Sequence, residues 1–176
     1  MVDIRLARTE ALSAAELAEI RTILVGAFDG ELTDDDWTHA LGGWHVIAQD
    51  SAPVAHAAIV ERTLWIGGRP LRVGYVEGVA TAPAQQGLGH GRAVMRRAGE
   101  LIRRDYELGA LSTGAHAFYE PLGWERWRGP TYVSRDGELL RTADEDDGIM
   151  VLRCPATAEL DVTAPIWCLS RIGDDW

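Results

Sequence analysis

A glycine-rich segment with arginine directly behind it is the strongest local pattern in this sequence. It reads Gln86-Gly87-Leu88-Gly89-His90-Gly91 and is followed by Arg92. Glycines let a ligand approach backbone N–H groups, and the positive end of a following helix favours an anion. The spacing G-x-G-x-G differs from the G-x-G-x-x-G of dinucleotide-binding folds. The segment therefore predicts a pyrophosphate site, with a glycine-rich turn that binds nothing as the alternative.

A single acid, Glu77, interrupts the apolar stretch 73–80 just ahead of this segment. Burying a carboxylate is costly unless the group is paired or serves chemistry. A buried ion pair and a general base are both compatible with one acid in a strand. Because Glu77 precedes the predicted pyrophosphate site by a few residues, we favour a base that removes a proton from a nucleophile.

Charge is distributed unevenly along the chain. The formal net charge is −10 and the pI is about 4.9, and all 17 basic residues are arginines. Five arginines fall within residues 92–104, whereas acids concentrate at 34–36, at 144–147 and at 174–175. An acidic chain disfavours nucleic acid and anionic membranes as partners. The asymmetry indicates one anionic and one cationic ligand, although charge runs are often only solvated loops.

No metal site is predicted. The five histidines show no paired ligand spacing, and the sequence contains no C-x-x-C motif. The acidic run 144–147 lacks the alternating ligands of a calcium loop. The two cysteines, Cys154 and Cys168, are expected to be buried apolar residues and not a disulfide, because a reducing compartment disfavours disulfides.

The first half of the chain predicts helices followed by antiparallel strands. Residues 2–8 alternate like a strand. Capping boxes at Ser13 and Thr33 predict two helices. The apolar stripe of the first helix consists of Leu17, Ile20, Leu24, Ala27 and Phe28. The second helix carries Trp37 and Leu41 and ends at the glycines 42–43. Residues 44–80 predict three or four strands with turns at 50–53 and 67–69.

The second half predicts an α+β arrangement around the glycine-rich segment. A helix follows that segment, with apolar residues at helical spacing through Ile102. Residues 108–112 predict a strand, and 115–120 a short helix stopped by Pro121 and Gly123. A hairpin at 135–137 and strands near 149–153 and 165–169 complete one domain of 176 residues.

Two motifs resemble those of the GNAT superfamily of N-acetyltransferases. Gln86-x-x-Gly89-x-Gly91 matches the coenzyme A pyrophosphate loop, (R or Q)-x-x-G-x-(G or A). The run 117–124, AFYEPLGW, looks like the superfamily's FYxxxGF signature. Nearly the whole chain is similar to the aminoglycoside 2′-N-acetyltransferases, with counterparts at 42–43, 74–79, 108–112, 129–131 and 173–176.

This resemblance implies a GNAT-like α+β fold with a central mixed, mostly antiparallel sheet flanked by helices. The sheet would splay beside the glycine loop, where pantetheine can insert. It implies direct transfer from acetyl-coenzyme A to the 2′-amine of an aminoglycoside in a ternary complex, and hence antibiotic resistance. A homodimer is also implied. An acetyltransferase of another amine, such as a polyamine or cell-wall precursor, and an acyl-coenzyme A binding module without catalysis remain as alternatives.

The resemblance also assigns site residues. Glu77 would act as a base through water, Tyr119 would protonate the departing thiolate, and Ser112 would bond to substrate or to the tyrosine. The coenzyme would contact the following residues: Val79, Ala80, Thr81, Gln86, Gly87, Leu88, Gly89, His90, Gly91 and Arg92. Substrate amines and hydroxyls would contact Glu31, Asp36, Glu77, Gly78, Ser112, Glu145, Asp146, Asp174 and Trp176 with its terminal carboxylate.

Two features of the sequence bear on these assignments. Glu31 stands where that family usually has Asp, and the loop from Ser112 to Tyr119 is slightly shorter than the family form. Trp176 has an alternative role in core packing. The start of the chain alternates charged and apolar residues and no apolar run is long enough to span a bilayer, so a cytoplasmic protein is expected.

Overall fold

The computed structural model describes residues 2–176. The strands are β1 (Asp3–Arg8), β2 (Trp44–Gln49), β3 (Pro53–Ile66), β4 (Arg69–Thr81), β5 (Leu108–Ser112), β6 (Glu125–Arg126), β7 (Thr131–Arg135), β8 (Glu138–Arg141), β9 (Ile149–Arg153) and β10 (Ile166–Leu169). The helices are α1 (Ala14–Ala27), α2 (Asp34–His39), α3 (His90–Asp105) and α4 (His116–Tyr119). The chain forms two compact units. Unit 1 holds residues 2–60 and 76–100, and unit 2 holds 61–75 and 101–176.

Unit 1 contains an antiparallel sheet with α1 packed against it. β1 pairs with β2 from Asp3 opposite Gln49 to Arg8 opposite Trp44. β2 pairs with β3, beginning at Trp44 opposite Ile59. Apolar residues of both strands and helices form one buried cluster, which contains Ala7, Leu12, Ile20, Ile23, Leu24, Ile47 and Ala80.

Unit 2 contains a mixed sheet. Its strands follow the order β6-β9-β5-β4-β3-β10-β7-β8, with the parts of β3 and β4 that belong to this unit at the centre. Two pairs of neighbouring strands are parallel, β4 with β5 and β10 with β7. The pairs β10–β3, β5–β9, β6–β9 and β7–β8 are antiparallel. The parallel pairing of β4 with β5 covers Val73–Tyr75 opposite Leu108–Ala110. The predicted mixed, mostly antiparallel sheet is confirmed.

Local sequence signals account for the helix starts in unit 1. The Ser13 hydroxyl accepts a hydrogen bond from the Glu16 N–H, and the Glu16 carboxylate accepts one from the Ser13 N–H. Thr33 and Asp36 make the same reciprocal pair at α2. Each box satisfies two N–H groups that a helix start otherwise leaves unpaired, so both predicted capping boxes are confirmed.

Two tight turns join neighbouring strands as the sequence predicts. Gly67 and Gly68, between β3 and β4, have φ values of 56° and 82°. Asp136 and Gly137, between β7 and β8, have φ values of 51° and 83°. Paired left-handed residues match the right-handed twist of the flanking strands, which fixes both hairpins.

Three details differ from the sequence-based prediction. Phe28 is 45% exposed because α1 ends at Ala27, whereas Ile23 is buried on the face of the helix that contacts the sheet. Leu41 lies beyond α2, which ends at His39 ahead of the left-handed Gly42. β6 was not predicted, since a strand of two residues has no recognisable period.

The two cysteines behave as apolar core residues. Cys154 and Cys168 are buried free thiols, as predicted. Burial raises the pKa of both thiols, that of Cys168 to about 11, so neither is a reactive thiolate at neutral pH. Among residues 2–176, no helix is both long and apolar enough to cross a membrane.

Candidate active site

Glu77 lies half-buried on β4, in unit 1. Tyr75 and Val76 precede it as fully buried residues, and Gly78 and Val79 follow it as half-buried ones. Ala80 is buried again, so β4 has a short half-buried stretch at 77–79, which places a carboxylate at the edge of the apolar interior. A carboxylate there is accessible to a ligand and still partly shielded from water.

The backbone at Gly78 is left-handed, with a φ of 55°, inside an otherwise extended strand. A Cβ on Gly78 would meet Leu24 Cδ2 at 3.3 Å and the Ala40 Cβ at 3.4 Å. Glycine is thus required twice, for the positive φ and for close packing. The Gly78 carbonyl accepts a hydrogen bond from His56 Nδ1 at 2.8 Å.

Two buried histidines lie behind this part of β4. His45 and His56 are 0% exposed, and His45 Nδ1 lies 2.8 Å from His56 Nε2. Burial lowers the pKa of His45 to about 4. Burial and the neighbouring His45 lower the pKa of His56 to about 3. Both imidazoles are therefore neutral at neutral pH.

The glycine-rich segment connects β4 to α3, still in unit 1. Gly87 and Gly89 have φ values of 77° and 88°, with open space around the position of a Cβ at each. The Gly89 carbonyl accepts from the Ala93 N–H at 3.0 Å, so α3 begins directly behind the loop. The first turn of α3 holds no acid. Exposed N–H groups beside a helix start without acids suit a phosphate group.

The remaining predicted residues of unit 1 differ in exposure, and among them Ala80 is buried. Glu31 is exposed, and Asp36 is half-buried with one carboxylate oxygen occupied in the capping box of α2. Val79, Ala80 and Thr81 form the end of β4. Asp36 has one oxygen that the capping bond leaves for a ligand.

Tyr119 ends α4 in unit 2 and is 7% exposed. Its ring lies edge-on to Phe118 at 4.8 Å and to Trp124 at 6.2 Å between centroids. Burial raises the pKa of Tyr119 to about 12. The phenol therefore stays protonated at neutral pH and is able to donate a proton or a hydrogen bond.

Ser112 and Glu145 come together around Gly148, at the end of β5. A Cβ on Gly148 would lie 3.2 Å from Ser112 Oγ and 3.6 Å from Glu145 Oε2. Burial, and then the charges of Asp174, Asp144 and Asp175, raise the pKa of Glu145. This carboxylate lies in a field of like charges, which a cationic ligand would relieve.

Asp146 is held by unit 2 itself. Its carboxylate accepts from both Arg141 guanidinium nitrogens and from the Thr131 N–H and hydroxyl. Arg141 and Thr131 lower the pKa of Asp146 to about 2. Any amine bound by Asp146 would share it with Arg141, so Glu145 and Asp174 have the more available oxygens.

The end of the chain is ordered by arginines. Arg135 pairs with Asp175 at 2.9 Å, and Arg171 donates to the Asp174 and Trp176 carbonyls. The Trp176 side chain is 3% exposed and its indole N–H donates to Thr142 Oγ1 at 3.2 Å. The indole thus packs in the core, and Asp174 is exposed.

Sequence reasoning missed the supporting residues of both units. His45 and His56 were considered only as metal ligands and set aside. A histidine within an apolar strand also indicates a buried ring that has a hydrogen-bond partner, and this signal was not used. Arg141 and Arg135 flank the β7–β8 hairpin and were not singled out. Among the described residues, no group of three or more histidine, cysteine, aspartate or glutamate side chains is placed to hold a metal ion.

Comparison with known proteins places the chain in a family. The sequence model of the acetyltransferase (GNAT) domain matches residues 8–127. An aminoglycoside 2′-N-acetyltransferase of Mycolicibacterium fortuitum is 42% identical over 177 residues, which cover 98% of this chain and 91% of that protein. The match runs along both units.

Solved structures share the fold. A GNAT family N-acetyltransferase of Escherichia coli in complex with CoA superposes with a TM-score of 0.69 at 16% identity, covering 98% of this chain and 93% of that one. A GCN5-related N-acetyltransferase of Kribbella flavida superposes at 0.58 with 27% identity, covering 73% of this chain. This chain spans only about a third of that protein, 34%. The domain match and the near full-length relative together show that the chain belongs to the GNAT family of acetyltransferases.

Proposed function

We propose that this acetyltransferase transfers the acetyl group of acetyl-coenzyme A to the 2′-amine of an aminoglycoside. The observation that carries the choice of acceptor is the 42% identity, along 98% of the chain, to an aminoglycoside 2′-N-acetyltransferase. The acids of unit 2 support it, because an aminoglycoside is a polycation. Resistance to such antibiotics would follow from loss of a charged amine on the drug.

The glycine-rich segment is the proposed pyrophosphate site. Positive φ at Gly87 and Gly89 turns backbone N–H groups outward, and the start of α3 adds its dipole. Exposed Arg92 supplies a positive charge nearby. Within the same proposal, the pyrophosphate also contacts the other loop residues, Gln86, Leu88, His90 and Gly91. The pantetheine arm contacts the backbone of β4 from Val79 to Thr81.

Glu77 is the proposed general base. An ammonium group cannot attack a thioester until it loses a proton, and a half-buried carboxylate at the core edge can take that proton directly or through one water. The free amine then forms a C–N bond to the acetyl carbon as the C–S bond breaks, and the acylated nitrogen releases a second proton, which balances the proton that the departing sulfur takes up. Gly78 allows the Val79 N–H to point away from the regular ladder, where it can stabilise the developing oxyanion.

Tyr119 is the proposed general acid. The electron pair of the breaking C–S bond leaves on sulfur, and the thiolate takes a proton to become the free thiol of coenzyme A. Burial raises the pKa of the phenol to about 12, which keeps it protonated in the resting enzyme and also makes it a weaker acid than an exposed tyrosine. Ser112, exposed at the end of β5, would hydrogen bond to the substrate.

Acids of unit 2 are proposed to hold the acceptor's other amines. Glu145 is half-buried and Asp174 is exposed, and their mutual repulsion contributes to the raised pKa of Glu145. A bound ammonium would remove this repulsion and form charge-assisted hydrogen bonds. Asp146 shares its oxygens with Arg141, so it would add charge without being fully available. In unit 1, the exposed Glu31 and the free oxygen of Asp36 would add further charge. The buried Trp176 would line the acceptor site.

A matched acceptor screen tests this function. Purified protein, acetyl-coenzyme A and a thiol reagent are incubated with aminoglycosides that carry a 2′-amine or a 2′-hydroxyl and are otherwise alike. We expect thiol release with the first set only, and an N-acetyl group at the 2′ position by mass spectrometry and NMR.

Other outcomes would identify the alternatives. Equal turnover of both sets would move the reaction to another amine of the drug. Thiol release with polyamines or amine-bearing cell-wall precursors, and not with aminoglycosides, would replace the acceptor and keep the chemistry. Binding of coenzyme without any thiol release would indicate a module without catalysis.

The proposal extends to a cytoplasmic homodimer. The support for this extension is the similarity to the aminoglycoside 2′-N-acetyltransferases, since a single chain carries no interface. Light scattering of the purified protein at several concentrations would test the dimer, and a monomer at every concentration would exclude it.

A further inference from the structure

A continuous chain of hydrogen bonds crosses unit 1 and ends on the strand that bears Glu77. The Gly42 N–H donates to Thr9 Oγ1 at 2.9 Å, and Thr9 Oγ1 lies 2.8 Å from His45 Nε2. His45 Nδ1 lies 2.8 Å from His56 Nε2, and His56 Nδ1 lies 2.8 Å from the Gly78 oxygen. Every link has normal hydrogen-bond length.

Chemistry fixes the direction of this chain. A carbonyl oxygen only accepts, so His56 Nδ1 carries a proton and, in the neutral ring, His56 Nε2 accepts. His45 Nδ1 must then be the donor to that nitrogen, and His45 Nε2 accepts from the Thr9 hydroxyl. The Gly42 N–H, which only donates, closes the far end. Both imidazoles are thereby Nδ1–H tautomers.

The two histidines anchor this hydrogen-bonded chain in the sheet, and the Thr9 hydroxyl lies closer to His45 Nε2, at 2.8 Å, than to its other acceptor, the Gly43 carbonyl, at 3.3 Å. His45 on β2 and His56 on β3 are both 0% exposed, and the two strands pair directly, with Ile47 opposite His56. The two rings lie 5.1 Å apart between centroids. In a buried site, a donor left without its acceptor destabilises the fold, so each link supports the next.

The last link acts on the backbone conformation that the reaction needs. Gly78 has a left-handed φ of 55°, and the Leu24 and Ala40 side chains lie against its Cα side. The His56 bond holds its carbonyl. With the carbonyl and the Cα both fixed, the peptide planes that carry the flanking Glu77 and Val79 are fixed as well.

We propose that His56, with His45 and Thr9 aligned behind it, is a positioning residue that sets the orientation of Glu77 and of the Val79 N–H. This inference rests on the proposed function, in which those two groups act on the amine and the thioester. The chain does not conduct the proton taken up by Glu77, because it terminates on a carbonyl oxygen that cannot accept it covalently.

Two substitutions separate positioning from simple stability. In His56→Asn the side-chain amide places an N–H where His56 Nδ1 stood, so the bond to Gly78 is retained. In His56→Leu that donor is lost. We expect kcat to fall by about 10- to 100-fold in His56→Leu, the range that a small misplacement of reacting groups causes. His56→Asn should recover most of this loss, and the affinity for coenzyme A should change by less than about threefold in both.

Val46→Ala is the matched control for destabilisation. Val46 follows His45 on β2 and is 0% exposed, and successive residues of a strand face opposite sides of the sheet. Its truncation should lower Tm as His56→Leu does and leave kcat per coenzyme-binding site unchanged. If His56→Leu also keeps the wild-type kcat per site, or if His56→Asn is as slow as His56→Leu, the positioning role is overturned.

A measurement on the wild-type protein needs no catalysis. The nitrogen chemical shifts of the two imidazoles should show Nδ1 protonated and Nε2 bare in both rings at neutral pH, which is the less common tautomer of free histidine. An Nε2–H tautomer at His56 would contradict the proposed direction of the hydrogen bonds, whatever the acceptor screen gives. If both tautomers are as expected but the protein does not acetylate aminoglycosides, the hydrogen-bonded chain is supported and the proposed acceptor is rejected.

Discussion

The backbone beside Glu77 and the carboxylates of unit 2 are held by opposite means. In unit 1, the residue after Glu77 is a left-handed glycine whose carbonyl accepts a hydrogen bond from one of a pair of uncharged histidines. In unit 2, Asp146 and Asp175 are oriented by guanidinium groups, those of Arg141 and Arg135. A base must be free to take a proton, and a neighbouring cation would lower its pKa and weaken it. A carboxylate that only attracts a polycation has no such restriction.

The largest effect should come from the base in unit 1. Glu77→Gln keeps the shape of the side chain and removes its ability to accept a proton. We expect kcat at neutral pH to fall by about 10²–10⁴-fold, with partial rescue as the pH rises and the free amine becomes populated. Steady-state kinetics with a good acceptor, and calorimetry for coenzyme affinity, are the measurements.

The control for Glu77→Gln is Glu19→Gln. Glu19 is an exposed acid of α1 in the same unit and lies outside the proposed site. If Glu77→Gln turned over as fast as wild type, the assignment of Glu77 as the general base would be wrong and the contrast with unit 2 would lose its meaning.

The neutral histidines should make unit 1 sensitive to acid. Burial holds the pKa of His45 at about 4 and that of His56 at about 3, below the ordinary 6.5 that both recover on unfolding. The unfolded chain thus binds more protons below pH 6.5, so stability is full above that pH and falls as pH decreases toward the folded values. Between about pH 7.5 and about pH 5.5 each histidine should remove about 1 kcal/mol from the free energy of unfolding.

Urea unfolding at the two pH values measures this loss, and His45→Gln supplies the comparison. The variant lacks one of the two titrating groups, so its stability should vary about half as much over the same interval. A variant with the full wild-type pH dependence would show that the acid sensitivity arises elsewhere in the chain.

The coenzyme loop should respond to strain in its backbone. Gly89 has a φ of 88°. Valine is strongly disfavoured there, and the loop would relax to another conformation. We expect the Kd for coenzyme A to rise by about 10- to 100-fold in Gly89→Val, measured by calorimetry. Gly68→Val, with a φ of 82° and equally open surroundings in the β3–β4 turn, carries the same strain outside the loop. Equal coenzyme affinity in the two variants would refute a backbone pyrophosphate site.

The smallest effect should come from single acids of unit 2. Glu145→Gln and Asp174→Asn should each raise the KM of a polycationic acceptor by up to about tenfold, since one charge-assisted hydrogen bond is worth about that factor. Coenzyme affinity should not change. Asp136→Asn, in the exposed turn between β7 and β8, removes the same charge away from the cluster. A KM that rises as much in Asp136→Asn would reduce the role of Glu145 and Asp174 to net charge alone.

The sequence predicted most elements because their signals are local. Capping boxes at Ser13 and Thr33, and left-handed pairs at 67–68 and 136–137, each lie within four residues and need no tertiary context. The candidate site was predicted in its residues and not in its support. His45 and His56 are 11 residues apart, and only the register of β2 with β3 brings their rings together.

The same limit explains the surface residues. Asp146 looked like a free acid in a run of acids, yet Arg141 and Thr131 occupy its oxygens. These contacts form because the β7–β8 hairpin brings Thr131 and Arg141 close to Asp146. The spacing of apolar residues in the sequence does not predict such a contact. Phe28 was assigned to the core because it continues the spacing of α1, and the helix ends one residue earlier.

The directional chain from Gly42 to Gly78 also constrains how the sequence can drift. Losing His56 alone strands a buried donor on His45, and losing His45 alone strands an acceptor on His56. Replacing both with apolar residues of similar size would leave only the Gly78 carbonyl and Thr9 to be satisfied, which is closer to neutral than either single step. Substitutions at the two positions should therefore be strongly epistatic, and lineages should keep both histidines or exchange them as a pair.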